Sequence, residues 1–303
     1  MESPRPTVAQ KRRVFRALHD SGCFLIPNPW DVGSAVYLQS LGFNALATTS
    51  SGFAWSQGVR DGAVPIDEVL SHLQAVVDAT NIPINADFEG GFAAAPAQVA
   101  AHVRLAIDAG VAGLSIEDST GNPASPLYDL AYAVERMRAA RHAIDQAGGD
   151  VLLIGRAECF VVGRPDIAQT IARLQAYAQA GADCLYAPGV STSEEIETMV
   201  AAVAPKPVNV LVGSSTTRTL RDFAGLGVRR VSVGGALARS SWGGFMRVAQ
   251  RLALEERFDE LPGMPMGTDL DAFFQHVPST QDAVRQEDTP QSPRRSGIPA
   301  RSV

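Results

Sequence analysis

The chain predicts an α/β protein, a single (β/α)₈ or TIM barrel, and three observations predict it. Short apolar runs alternate with stretches of helical apolar spacing from about residue 23 to residue 257. Runs such as PVNVLV and RRVSVGG are apolar at mostly consecutive positions, as in parallel strands covered on both faces. The joint between helix and strand also recurs, in LGFNALATTS, AGVAGLSIED, AGADCLYAPG and LGVRRVSVGG. In each, a glycine (Gly42, Gly110, Gly181, Gly227) stands where a helix would end in the left-handed region. Repeated βα units without a Gly-rich dinucleotide fingerprint favour a closed barrel over a doubly wound sheet.

A helix over Val8–Ser21 occupies an N-terminal segment, residues 1–22. The barrel, 23–257, is read as eight strands: Cys23–Pro27, Ala45–Ser50, Pro83–Glu89, Gly113–Asp118, Leu152–Glu158, Cys184–Gly189, Pro207–Val212 and Arg229–Gly235. Helical spacing follows each strand, as in Pro96–Ala109 and Asp166–Ala180. Residues 258–279 still bear Phe258, Leu261, Met264, Met266, Leu270, Phe273 and Phe274, so they are expected to pack on something. Residues 280–303 are polar and rich in Pro, Ser and Arg, the composition of a disordered tail.

Composition narrows the function. Apolar residues make up 46% of the chain, enough for a large core. The net charge of -6 argues against nucleic-acid and anionic-membrane partners. No CxxC pair occurs among Cys23, Cys159 and Cys184, so a reduced, cytoplasmic setting is the simplest reading. The N-terminus has no apolar stretch of signal-peptide type, and no apolar run is long enough to span a bilayer.

In a barrel of this kind the site lies at the carboxyl ends of the strands. Those ends gather Ser50, Ser51 and Gly52, then Asp87 and Glu89, Glu117, Arg156 and Glu158, Asn209, and Gly234. Asp87 and Glu89 are two apart on one predicted strand, so both should face the same side. Two carboxylates crowded at one spot, with Glu117 beside them, suit a hard divalent cation, or else pair with Arg156 or cap the next helices. Ser50, Ser51 and Gly52 could present a hydroxyl and backbone N–H groups to a carboxylate, or simply mark a loop. Arg156 could clamp a carboxylate in bidentate fashion or pair with the neighbouring acids. Asp61 and Glu158 are the acids that could move a proton, although Asp61 in GVRDG also reads as a turn residue. The only lysines, Lys11 and Lys206, fall away from strand ends, which excludes a Schiff-base mechanism. The five histidines read as helical or C-terminal, which favours an all-oxygen Mg²⁺ or Mn²⁺ site over zinc or iron.

Seven segments in order, TTSSGFAWSQGVRDG, INADFEGGF, GLSIEDS, IGRAE, GADCLYAPG, PVNVLV and LGVRRVSVGG, resemble the isocitrate lyase and phosphoenolpyruvate mutase superfamily. The resemblance spans about Phe24–Phe245 and implies a role for each matching residue. Asp87, Glu89 and Glu117 would form the metal site, with Glu89 where many members have Asp. Ser51 and Gly52 would form the carboxylate-binding turn, Asp61 would stand in the GVRD-like loop, and Arg156 would hold substrate. It implies a Mg²⁺-dependent lyase or decarboxylase of a small 2-oxo or 2-hydroxy acid, working through a metal-stabilised enolate. It also implies a homodimer or homotetramer that exchanges the eighth helix. One departure bears on the reaction. Ser119–Leu127 reads STGNPASPL, without the Lys-Cys-Gly-His motif of the lyases, although Asn122 is similar to an Asn of mutase-type loops. Phosphonate chemistry, and a barrel that binds ligand without turnover, are the alternatives.

Overall fold

The computed structural model describes residues 5–258 and 265–275. The chain divides into two units, Met1–Pro262 and Gly263–Val303. In the first, α1 (Val8–Leu18) leads into β1 (Phe24–Ile26) and α2 (Val32–Ser40). Next come β2 (Leu46–Ala47), α3 (Ser50–Ser56), α4 (Ile66–Ala79), β3 (Ile84–Asp87) and α5 (Pro96–Asp108). The middle of the chain supplies β4 (Gly113–Glu117), α6 (Leu130–Gln146), β5 (Leu152–Arg156) and α7 (Ile167–Gln179). It ends with β6 (Cys184–Tyr186), α8 (Ser193–Val203), β7 (Val208–Leu211), α9 (Leu220–Gly225), β8 (Arg230–Ser232) and α10 (Ala236–Glu255). The second unit contributes α11 (Gly267–Gln275), none of whose residues is buried. The expected tail at 280–303 lies outside the described residues, as does part of the expected packing segment at 258–279.

All ladders are parallel, and the strand order β1-β8-β7-β6-β5-β4-β3-β2 confirms the (β/α)₈ barrel. The seam between β1 and β2 is held by the Ala47 N–H donating to the Pro27 carbonyl (3.1 Å). Asn28 reinforces the closure. Its amide donates to the Thr48 carbonyl (3.0 Å), and its oxygen accepts the N–H groups of Val233 and Gly234 (2.9 and 2.8 Å). Each observed strand lies within the stretch expected for it, trimmed where the chain leaves the ladder. The second is reduced to two residues, because Thr49 caps α3 and turns Ser50 into a helix. Gly42, Gly110, Gly181 and Gly227 all have φ between +82° and +103°, as the repeated joint required.

Apolar side chains form two layers. The larger lies between sheet and helices and includes Leu73, Val103, Leu114, Met137, Leu153 and Met199. The smaller fills the barrel floor with Ile26, Ala47, Ala112, Ile154 and Cys184 around Phe15 of α1. Gly113 makes room for that plug, since a Cβ there would lie 2.6 Å from the Phe15 ring. The N-terminal helix is therefore part of the barrel's packing. By contrast α10 buries only Ala238 along its length and leaves Phe245, Met246 and Leu254 in solvent. No helix among the described residues is long and apolar enough to cross a membrane.

Candidate active site

The carboxyl ends of β3, β4 and β5 open onto a cleft of about 600 Å³. Ser50, Asp61, Glu89, Glu117, Arg156 and Glu158 all line it. Asp87, at the end of β3, has both oxygens engaged. Oδ2 accepts the Ser50 N–H (3.0 Å), and Oδ1 accepts from Arg156 Nη1 (3.1 Å). Its own N–H donates to Thr48 Oγ1 (2.9 Å), which ties the end of β3 to β2.

Arg156 is the hub. Nη1 also lies 3.3 Å from Glu117 Oε2, and Nε donates to Glu158 Oε1 at 2.5 Å. The Tyr186 ring lies beneath the guanidinium, 5.2 Å from it. Burial alone would lower its pKa, but Glu158, Glu117 and Asp87 outweigh that and hold it firmly charged. Glu158 is positioned from behind, since its N–H donates to Asp118 Oδ1 (2.8 Å). The other Asp118 oxygen accepts from Arg173 (3.0 Å) and the Tyr177 hydroxyl (2.5 Å). This buried support was not assigned from sequence, where Asp118 read only as the residue after Glu117.

Glu89 departs from the sequence argument in its geometry. β3 stops at Asp87, and Glu89 has φ +45°, so strand alternation does not place it. A left-handed turn through Glu89, Gly91 and Phe92 brings its carboxylate into the cleft. The Glu89 carbonyl accepts the Glu117 N–H (3.0 Å), fastening the turn to β4. Left-handed φ at a residue other than glycine costs on the order of 1 kcal/mol, so two such residues here imply strong local restraint.

One arginine faces several acids, and their pKa values show it. Burial pushes the Glu89 carboxyl up to about 7, helped by the charges of Asp87 and Asp61. Burial raises Glu117 well above its usual range, against the pull of Arg156. Burial also raises Glu158. At the exposed rim, Asp61 is raised by partial enclosure and then by Asp87. As they stand, no three acids among the described residues are close enough to grip one ion, because Asp87 and Glu117 converge on Arg156 instead. The donor set still suits a hard divalent cation. It is all oxygen, it is short of positive charge, and its members resist ionising together.

The other expected binding residues separate. The Gly52 N–H is taken by Thr49 Oγ1 (3.3 Å), and a Cβ there would lie 2.9 Å from Trp30. Gly52 therefore serves helix capping and close packing, not an open anion-binding N–H. The Ser51 hydroxyl pairs with Thr49 Oγ1 (3.1 Å). Asn209 lies outside the cleft, buried in the barrel with its amide on Ser232 (3.0 Å) and its oxygen on Arg230 (2.9 Å). The Gly234 N–H is taken by Asn28. After β4, Ser119–Leu127 forms a small closed loop, bridged at Ser119 and Leu127. Asn122 Oδ1 there accepts the Ala124 N–H (3.0 Å), so its side chain serves its own turn.

A strand-end acid cluster on a closed parallel barrel defines a class of small-acid lyases and mutases, and comparison with known proteins gives the family. The phosphoenolpyruvate phosphomutase family model matches residues 15–253, and the chain belongs to that family, within the phosphoenolpyruvate mutase and isocitrate lyase superfamily. A Burkholderia cenocepacia J2315 structure, described as a candidate lyase/mutase, is 44% identical with a TM-score of 0.86. That match covers 88% of this chain and 97% of the other. The 2-methylisocitrate lyase of Escherichia coli K12 is 32% identical over 59% of this chain and 62% of its own. The oxaloacetate decarboxylase of Pseudomonas putida GB-1 is 27% identical over 77% of this chain and 81% of its own. A lyase or mutase of this superfamily is thus the coarse assignment.

Proposed function

We propose that this chain is a Mg²⁺- or Mn²⁺-dependent lyase that breaks the bond beside the carbonyl of a small 2-oxo acid, with decarboxylation of a C4–C5 oxo diacid as its leading reaction. The observation that carries this reading is the Asp87–Arg156–Glu117 cluster at the strand ends beside a loop that bears no Cys, His or Lys. Asp87, Glu89 and Glu117 would hold the cation. Bound there, it would draw electrons from the carbonyl of a chelating 2-oxo acid and stabilise the enolate left by bond cleavage.

The chain's own residues do the rest. Arg156, paired with Asp87, Glu117 and Glu158, binds the substrate carboxylate, with Ser50 and Ser51 at the start of α3 beside it. Glu158, held by Asp118, fixes the guanidinium. Departure of CO₂ leaves its electron pair on the enolate carbon and needs no base. Asp61, at the rim with a raised pKa, supplies the one proton that completes the product. Cleavage of an isocitrate-like substrate would also need a base for its hydroxyl, and the closed Ser119–Leu127 loop has no group of that kind.

Assay of oxaloacetate, isocitrate, 2-methylisocitrate and phosphonopyruvate, with and without EDTA, tests the reading. CO₂ release from oxaloacetate should dominate and vanish with EDTA. Efficient EDTA-sensitive pyruvate or glyoxylate release from either isocitrate would overturn it, and phosphate release from phosphonopyruvate would favour phosphonate chemistry. The exposed face of α10, with Trp242, Phe245, Met246 and Leu254, would be covered by a second copy in a homodimer or homotetramer. A monomer at micromolar concentration by light scattering would refute that assembly.

A further inference from the structure

Arg136 of α6 is buried, yet among the described residues its guanidinium hydrogen-bonds to no carboxylate. Its partners are main-chain carbonyls. Nη1 donates to Glu117 O (3.1 Å), and Nη2 donates to Ala93 O (3.1 Å) and to Gly90 O. The Tyr128 ring covers its face, 4.2 Å from the centroid. A buried charge held by carbonyl dipoles and a ring, with Asp118 acting on it from a distance, is a costly choice for a helix-to-sheet contact that an apolar residue could fill. The fork does something an apolar residue cannot. It gathers carbonyls from two separate segments, the left-handed turn that follows Glu89 and the end of β4 that carries Glu117. Such a turn persists only where its surroundings over-determine it. Arg136, which lines the same cleft as those carboxylates, supplies that determination through the main chain.

We propose that Arg136 is the positioning residue that sets the Glu89 and Glu117 carboxylates for a divalent cation. It acts through the backbone and does not ligate. The inference rests on the metal-site reading given above. The test titrates the full chain with Mn²⁺ alone and follows the free-ion signal by electron paramagnetic resonance, alongside thermal melting. Variants Arg136→Met and Arg136→Lys both lose the three-carbonyl fork, the second while keeping the charge. Each should melt cooperatively and bind Mn²⁺ at least about 10-fold more weakly than wild type, the usual scale for residues that orient metal ligands. Arg141→Met, on the same helix but paired with Asp145 and Asp183, should bind Mn²⁺ like wild type. Unchanged affinity in a folded Arg136 variant overturns the role of Arg136 alone. Equal weakening in Arg141→Met, or failure of both Arg136 variants to fold, would assign Arg136 to general stability and overturn it too. Wild-type protein that binds no Mn²⁺ overturns the metal site itself, and the inference with it.

Discussion

Two arginines, the half-buried Arg156 and the buried Arg230, divide the barrel into a mouth and a floor. At the mouth, Arg156 touches Asp87, Glu117 and Glu158, and carboxylates outnumber it. On the floor, Arg230 meets neutral groups among the described residues: the Asn209 oxygen at 2.9 Å, His19 Nε2 at 3.4 Å and the Asn85 oxygen at 3.5 Å. His19 Nδ1 pairs with the Phe15 carbonyl, so its proton sits there and Nε2 is left to accept from Arg230. The mouth holds excess negative charge that a ligand or cation would relieve. The floor spreads one positive charge over amides and closes the barrel. A polar residue inside a barrel therefore signals a site only when its height along the axis is known.

The mouth gives the largest expected effects. Asp87→Ala removes the acceptor of both Ser50 N–H and Arg156, and should abolish Mg²⁺-dependent oxalate binding measured by calorimetry. Arg156→Ala should weaken oxalate binding by about 3 kcal/mol, or roughly 100-fold, the scale of a lost charge-assisted contact. Wild-type affinity in either variant would dissolve the distinction between mouth and floor.

Titration should separate the regions by sign. Glu89 has its pKa raised to about 7 from 4.5. The folded state thus holds the extra proton between these values, so its contribution is fully present below about 4.5 and is lost as pH rises through 7. His19 is lowered to about 3 from 6.5, chiefly by burial and then by Arg230. There the unfolded state holds the extra proton, so stability is present above 6.5 and lost as pH falls towards 3. Each effect is on the order of a few kcal/mol at its limit. Without metal, Glu89→Gln should raise Tm at pH 8 and lose that advantage by pH 5. His19→Asn should flatten the acid side of the profile. Mg²⁺ should shrink the Glu89→Gln advantage at pH 8, because a cation offsets the same repulsion. A Glu89→Gln profile parallel to wild type would remove the charge argument at the mouth.

How much of this was legible in the sequence follows from the same geometry. Strand number, parallel order and the acids at the ends of β3, β4 and β5 were readable, because apolar runs and glycine joints set them locally. Height within the barrel was not. Register partners run Glu117, Arg156, Tyr186, Asn209, Arg230 and Phe24. That path starts at the carboxyl end of β4 and finishes at the amino end of β1, because the strands tilt and the register staggers round a closed barrel. Asn209 was therefore expected at the mouth and lies deeper, beside Arg230. Gly52, expected to offer a free N–H, has it taken by Thr49, and the N–H of Gly234, expected at the strand end to bind substrate, is taken by the distant Asn28. Arg136 and Asp118 were missed because each acts through backbone atoms of other segments, and no residue pattern records such contacts.

The floor should answer mutation in stability and leave binding alone. Arg230→Met leaves the Asn209 and Asn85 oxygens without their donor, but it also removes a buried charge that burial already disfavours. The two partly cancel, giving a loss of about 1–2 kcal/mol. Oxalate affinity should stay within about twofold, as for independent sites. A large loss of affinity without loss of stability would mean that the floor network reaches the mouth, for which Tyr186, the register partner of both Arg156 and Asn209, would be the natural route.

The smallest expected effect belongs to Asn122, and its smallness is informative. In the closed Ser119–Leu127 loop the exposed Asn122 side chain accepts the Ala124 N–H, and the Thr120 hydroxyl donates to the Ser125 carbonyl at 2.5 Å. The loop thus satisfies itself, and nothing in it needs substrate to complete its bonds. Losing one exposed turn contact costs about 0.5 kcal/mol, so Asn122→Ala should leave oxaloacetate turnover within about twofold of wild type. In the proposed reaction decarboxylation would ask nothing of this loop, because CO₂ leaves without a base and the proton would come from the rim at Asp61. Transfer or hydrolysis of a phosphonate would ask more, since the phosphorus group as well as the carboxylate must then be held. Steady-state rates for Asn122→Ala on oxaloacetate and on phosphonopyruvate therefore discriminate. A tenfold or greater fall on phosphonopyruvate alone would favour the phosphonate reading over the one drawn from the mouth, and the same fall on oxaloacetate would show that decarboxylation does use this loop.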